Sequence, residues 1–255
     1  MATEHAFANC ALAGHDPCAG KITGEHYISA ALLKALRADD HILIQGTPWT
    51  GDRAVLVGQS SLTANILCSR HNSMLSILDA EAARFLKAIK TAQLDLKAGM
   101  PKSRTHTFDG ARLERWFLKV CFMMWASGNF SENGAKLAGK PPPQWNEYLL
   151  GRAALPNLWG LYVEPPTEPF ATTENEFEVT PLSGNDGSGI KGARFKLARL
   201  PFSLILGEPG GDWGHHRPSG FILQNGKAAH NLRLRWPEGQ ASLPITYTRT
   251  ADSIG

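Results

Sequence analysis

The amino-acid sequence predicts an α+β protein, and three observations carry that prediction. Two segments before residue 130 place apolar residues at helical spacing. Residues 166–255 break instead into short apolar runs separated by Gly, Pro and Asn. Between these regions lies "GKPPPQW", a stiff polyproline-like connector. The chain therefore divides into residues 1–100, a helical and Pro-rich connecting segment at 101–165, and an antiparallel β domain at 166–255.

"GEHYISAALLKALRADD" reads as an extended piece running into a helix, with Leu32, Leu33 and Leu36 on one face. "HILIQG" and "RAVLVG" are short apolar runs joined by the turn "GTPWTGD", and read as strands. "DAEAARFLKAIKTAQLDLKAG" is an amphipathic helix with Asp79 as its cap, Glu81 in its first turn, and Gly99 with Pro101 ending it. "FDGARLERWFLKVCFMMWASG" predicts a helix capped near Asp109 and stopped near Gly128. It is apolar nearly all round, hence buried. Six further runs, "FEVTPL", "ARFKLARL", "FSLILG", "SGFILQNG", "HNLRLRW" and "ITYTR", read as strands of a meander or sandwich. "SGNDGSG" reads as a flexible loop.

The composition is that of a folded chain, with 43% hydrophobic and 19% charged residues. A net charge of +3 permits a polyanionic partner without requiring one. No basic n-region and apolar h-region open the chain, and "WFLKVCFMMWA" is too short to span a bilayer. The expectation is a cytoplasmic protein with no membrane partner.

Four cysteines are too few for a disulfide scaffold. Cys10 and Cys18 flank a seven-residue loop containing Gly14 and Pro17, and Cys68 and His71 have C-x-x-H spacing at a helix start. Together they supply a tetrahedral Cys₃His set for structural Zn²⁺. The alternative makes the three thiols small core residues.

The order of these residues resembles the HNH endonuclease family, with its ββα-metal (treble-clef) core, over roughly residues 8–80. Cys10/Cys18 resemble its first zinc-ligand pair and Cys68/His71 its second. "GEHYIS" resembles the acidic-His strand, Asn65 the middle Asn, and Asn72 the last metal ligand. The stretch from His26 to Asn65 is longer than the family's, Ser29 stands where proline commonly follows, and His71 replaces a fourth cysteine. The resemblance implies a metal-dependent endonuclease that hydrolyses phosphodiesters in DNA. His26 would be the general base and Asn65 its buttress. Glu25 and Asn72 would ligate a catalytic Mg²⁺ or Mn²⁺. Adjacent strand residues face opposite sides, so Glu25 and His26 share one site only where the strand twists or ends.

Lys191, Arg194, Lys196, Arg199, Arg233 and Arg235 concentrate positive charge in the β region and are candidate phosphate contacts, against a solvated strand face. Arg104, His106, Arg112 and Arg115 read as salt-bridged or solvated, and His215–His216 beside Asp212 as turn residues. Two alternatives stand beside the nuclease. One is a non-catalytic treble-clef zinc module binding DNA or protein. The other is a structural or regulatory protein acting through its β domain, which would also offer a surface to a protein partner.

Overall fold

The computed structural model describes residues 7–36, 41–45, 47–51, 53–132, 135–137, 141–165, 177–183, 189–226, 228–237 and 241–248. Gly46 and Asp52 of the expected turn, Gly139 and Lys140 of the connector and most of "SGNDGSG" lie outside the described residues. Two compact units emerge: Met1–Ala80 with Arg115–Ala154, and Glu81–Glu114 with Leu155–Gly255. The units follow contacts rather than chain order, so the stretch 101–165 is shared between them instead of forming a connector of its own. No described helix is long and apolar enough to cross a membrane.

The first unit is built on a hairpin that runs into a helix. Strand β1 (Ile22–His26) pairs antiparallel with β4 (Thr63–Cys68), from Ile22 opposite Cys68 to His26 opposite Thr63. The register slips between Thr23 and Glu25, where two steps along β1 face three along β4, so the extra residue lies on β4 opposite Gly24. Between the two strands lie α1 (Ala30–Leu36), the antiparallel pair β2 (His41–Ile44) and β3 (Val55–Gly58), and a 3₁₀ turn at Gln59–Leu62. Leu32, Leu33 and Leu36 are all buried, as their spacing requires.

Helix α2 (Ser69–Lys97) follows β4 without a break and begins ten residues before the expected cap at Asp79. No Gly or Pro interrupts residues 69–97, so a turn started at the end of β4 propagates through Asp79. Asp79 is thus an interior helix residue rather than a cap. The C-terminus forms as the sequence predicts: Gly99 takes φ 65°. Its N–H reaches Leu96 O at 3.3 Å, and that of Met100 reaches Asp95 O at 3.0 Å.

After β5 (Arg104–Asp109), α3 (Gly110–Ala126) starts with Asp109 Oδ1 accepting the Arg112 N–H at 3.0 Å. Its residues 116–124 are all buried, including Lys119 at 1% exposure. The small pair β6 (Phe130–Glu132) and β7 (Ala135–Leu137) and the short helix α4 (Pro143–Leu149) complete the first unit, with Trp125 edge-on to Trp145 at 5.3 Å.

The second unit holds two sheets. Strands β8 (Gly160–Val163), β9 (Phe177–Ser183), β10 (Ile190–Leu197), β11 (Leu200–Ile205) and β12 (His215–His216) form one in the order β12-β8-β11-β10-β9, antiparallel throughout. Strands β13 (Gly220–Asn225), β14 (Ala228–Arg235) and β15 (Ile245–Thr248) join β5 in the order β15-β13-β14-β5. This sheet corrects the antiparallel expectation: β13 pairs β14 antiparallel, but β15 and β5 are added parallel. Phe85, Phe108, Phe202 and Phe221 pack edge-on or tilted at centroid distances of 5.2–6.1 Å and form the aromatic core of this unit.

Candidate metal centre

Cys68 closes β4 and His71 lies in the first turn of α2, so the C-x-x-H spacing turns both side chains to one side of the junction. The loop carrying Cys10 is laid against β4 by the Ala11 N–H to Ile66 O bond of 2.8 Å. The Cys68 N–H points at Cys10 Sγ at 3.4 Å. Gly20 (φ 79°) allows the loop to pass Ser69, whose Oγ would lie 1.9 Å from any added Cβ.

The donor atoms of Cys10, Cys18, Cys68 and His71 all lie within 4.8 Å of one another. His71 Nδ1 sits 3.2 Å from Cys10 Sγ, 3.8 Å from Cys18 Sγ and 3.2 Å from Cys68 Sγ. A tetrahedral zinc with bonds of about 2.3 Å to sulfur and 2.0 Å to nitrogen separates neighbouring S and N donors by about 3.5 Å. The observed spacings bracket that value, so the expected Cys₃His group is present and fits a metal ion such as zinc. Burial holds the His71 imidazole below its usual value and hence neutral, the form that ligates. Burial and the neighbouring Cys10 and Cys68 thiols push Cys18 up to about 12. Burial would raise Cys68 too, but the backbone amides of His71 and Ala19 outweigh it and lower the thiol. Ionising three sulfurs crowded in this way carries a cost that a bound cation removes.

Behind the imidazole stands a residue that the spacing argument missed. Asp16 Oδ2 faces His71 Nε2 at 3.4 Å, orienting the ring so that Nδ1 meets the sulfurs. Arg70 approaches the same carboxylate at 3.3 Å, and Arg152 also pairs with it. Burial alone would raise Asp16, but the Arg152 hydrogen bond and the charges of Arg70 and Arg152 outweigh it and hold the carboxyl below its usual range.

The expected catalytic residues are disposed differently. Glu25, 5% exposed, directs Oε1 to Lys119 Nζ at 2.5 Å, and the same ammonium contacts Asp79 Oδ2 at 2.6 Å. Burial raises both carboxyls, while Lys119 opposes the shift. His26, the last residue of β1, is half-buried and lowered by that burial and by the charge of Lys119, against the charge of Asp79. Asn72 donates from Nδ2 to Thr23 Oγ1 at 3.1 Å, and Asn65 is exposed on β4 with Oδ1 over Gly24. The ammonium on Glu25 fits a neutralised carboxylate rather than a ligand of a hard divalent ion. The expected Mg²⁺ or Mn²⁺ site on Glu25 and Asn72 is therefore not supported by this arrangement. A signal for the missed cluster was available: a lysine inside an all-apolar helix needs buried acids.

The basic candidates divide between the two sheets of the second unit. Lys191, Arg194 and Lys196 lie on β10, where Arg194 pairs with Glu164 at 3.7 Å and stacks over Trp213, and Lys196 pairs with Glu178 at 2.9 Å. Arg233 and Arg235 are exposed on one face of β14, as their alternation predicts. His216 hydrogen-bonds to Trp159 O and packs on Tyr162, so the His215–His216 pair serves the sheet edge. Comparisons with protein-family models, curated proteins and solved structures found no match to this chain.

Proposed function

We propose that the protein is a zinc-stabilised, HNH-like phosphodiesterase acting on nucleic acid, with DNA as substrate. One observation carries this reading: the antiparallel β1–β4 hairpin runs directly into α2, with the Cys₃His group gathered at the junction and Glu25–His26 at the end of the opposing strand. That order of knuckle, hairpin and helix is what a treble-clef core requires. Zinc would be held by Cys10, Cys18, Cys68 and His71 and would supply the folding energy of the hairpin–helix unit. His26, neutral and partly exposed where β1 ends, takes a proton from the attacking water, while Asn65 lies on the neighbouring strand. The water oxygen bonds to phosphorus as the scissile P–O bond breaks, the leaving alkoxide takes a proton from solvent, and the protonated His26 returns its proton to solvent.

The test is incubation of the purified chain with supercoiled plasmid in Mg²⁺ or Mn²⁺. Nicking should fall at least about a hundredfold in His26→Ala, with zinc content and circular dichroism unchanged. The Lys119 ammonium on Glu25 favours a second reading, a non-catalytic treble-clef module that binds DNA or a protein partner. Zinc-replete protein that retains DNA on a filter but never nicks it selects the second reading.

A further inference from the structure

The second unit contains a basic cavity that the nuclease reading does not use. Strands β5 and β14 run parallel with Asp109 opposite Arg235, so the ends of both strands open at one place, where α3 begins. A cavity of about 540 Å³ lies there, lined by Arg84, Arg112, Arg235, Glu81, Asp109 and Trp236, among others. That volume is ample for a small ligand.

The three guanidiniums come from three elements and are held in different ways. Arg84 on α2 pairs with Glu81, donates to Thr107 O at 3.3 Å and stacks over Phe108 at 5.3 Å, yet its side chain stays 60% exposed. Glu81 in turn accepts the Asp109 N–H at 2.8 Å, which places the Arg84 pair against the strand end. Arg112 spends its Nε on Asp109 Oδ2 at 3.1 Å, leaving its terminal amino groups for another acceptor. Arg235 has no carboxylate partner among the described residues and is exposed. Three cations against two carboxylates leave one positive charge in excess, in a mouth walled by Trp236. The indole ring is fixed by its Nε1 donating to Pro218 O at 2.8 Å and by its close approach to Gly110, where any added Cβ would lie 2.6 Å from the ring.

We infer that this cavity binds the phosphate group of a nucleotide unit, with Arg235 as its principal contact and Arg112 beside it. Guanidinium forks match phosphate oxygens in geometry and charge, and a phosphate is the common anion that uses several forks at once. The inference is independent of any cleavage activity in the first unit.

Equilibrium dialysis of the full chain tests it with two probes, radiolabelled thymidine 5′-monophosphate and a labelled oligothymidylate without terminal phosphate. At least one probe should bind saturably, and excess thymidine should not displace it. Arg235→Ala should weaken that binding about tenfold or more, as expected for the loss of a charge-assisted contact, with an unchanged melting temperature. Lys102→Ala, an exposed cation before the far end of β5, should leave it unaltered. Arg235-dependent binding of the oligomer identifies the phosphate as that of a nucleic-acid strand, and of the mononucleotide alone as that of a free nucleotide. Failure of both probes to bind, or binding that Arg235→Ala does not weaken, overturns the inference.

Discussion

The two units solve the same problem with different materials. The first has hairpins of a few residues and buries charge: four metal-type ligands at one junction, and Lys119 between Glu25 and Asp79. The second has two sheets of five and four strands over an aromatic cluster. Its buried Glu81 and Asp95 pair with the exposed Arg84 and Arg104, and its buried Glu114 and Arg217 are matched one to one through two bonds of 2.9 Å. Glu114 also accepts the Leu161 N–H at 2.8 Å. A small unit with little sheet needs point attachments, whereas a sheet-rich unit distributes its stability over area.

The largest expected effect separates the units outright. A strong chelator, or Cys68→Ser, should unfold the first unit, because structural zinc sites contribute on the order of 10 kcal/mol. Calorimetry should then show one transition lost, while the β signal of the second unit survives in circular dichroism. A single transition that ignores chelation would dissolve the contrast.

Next in size is Lys119→Met, which leaves the buried Glu25 and half-buried Asp79 carboxylates without their cation and should cost about 3–5 kcal/mol in urea unfolding. Adding Glu25→Gln to that variant should recover part of the loss, since the remaining acid no longer faces a second charge. In the second unit, Gly192→Ala should cost about 3 kcal/mol. Gly192 holds φ 146°, and its added Cβ would fall 1.9 Å from Leu204 O on the neighbouring strand. That loss should appear only in the transition assigned to the sheets.

The smallest effect is the pH dependence that His230 gives to the second unit. His230 on β14 is fully buried and held below its usual value, first by burial, then by Arg104 and His106, against Asp95 at 3.6 Å. A folded-state pKa below the unfolded value of about 6.5 means the unfolded chain binds the extra proton first. Stability is therefore complete above pH 6.5 and falls on acidification, by up to about 1.4 kcal/mol per pH unit. His230→Leu should flatten that slope, and a slope that persists would assign it to another group.

Legibility in the sequence followed the range of the interaction. The Cys₃His group was readable because its spacing is local on each side and thiols have few other roles in such a chain. The Asp109 cap and the glycines at 99 and 128 were readable for the same reason. The continuity of α2 was not: the C-x-x-H spacing marks a helix start at Cys68–His71, Asp79 looks like the cap of a second helix, and nothing in the sequence shows that one helix runs through both. Strand β5 was hidden as well: "RTHTFD" buries only Phe108, and its partner lies more than a hundred residues away. Asp16 and Lys119 act through contacts that no periodicity encodes.

The pairing of residues 104–109 with 230–235 also sets a timetable for a growing chain. At ribosomal rates of 5–20 residues per second, β5 waits roughly 6 to 25 s for its partner to be made. The four metal-type ligands have all been synthesised by residue 71 and need no such delay. During that interval β5 presents an unpaired edge whose outward residues are Arg, Thr and His, a composition that resists pairing with other nascent chains.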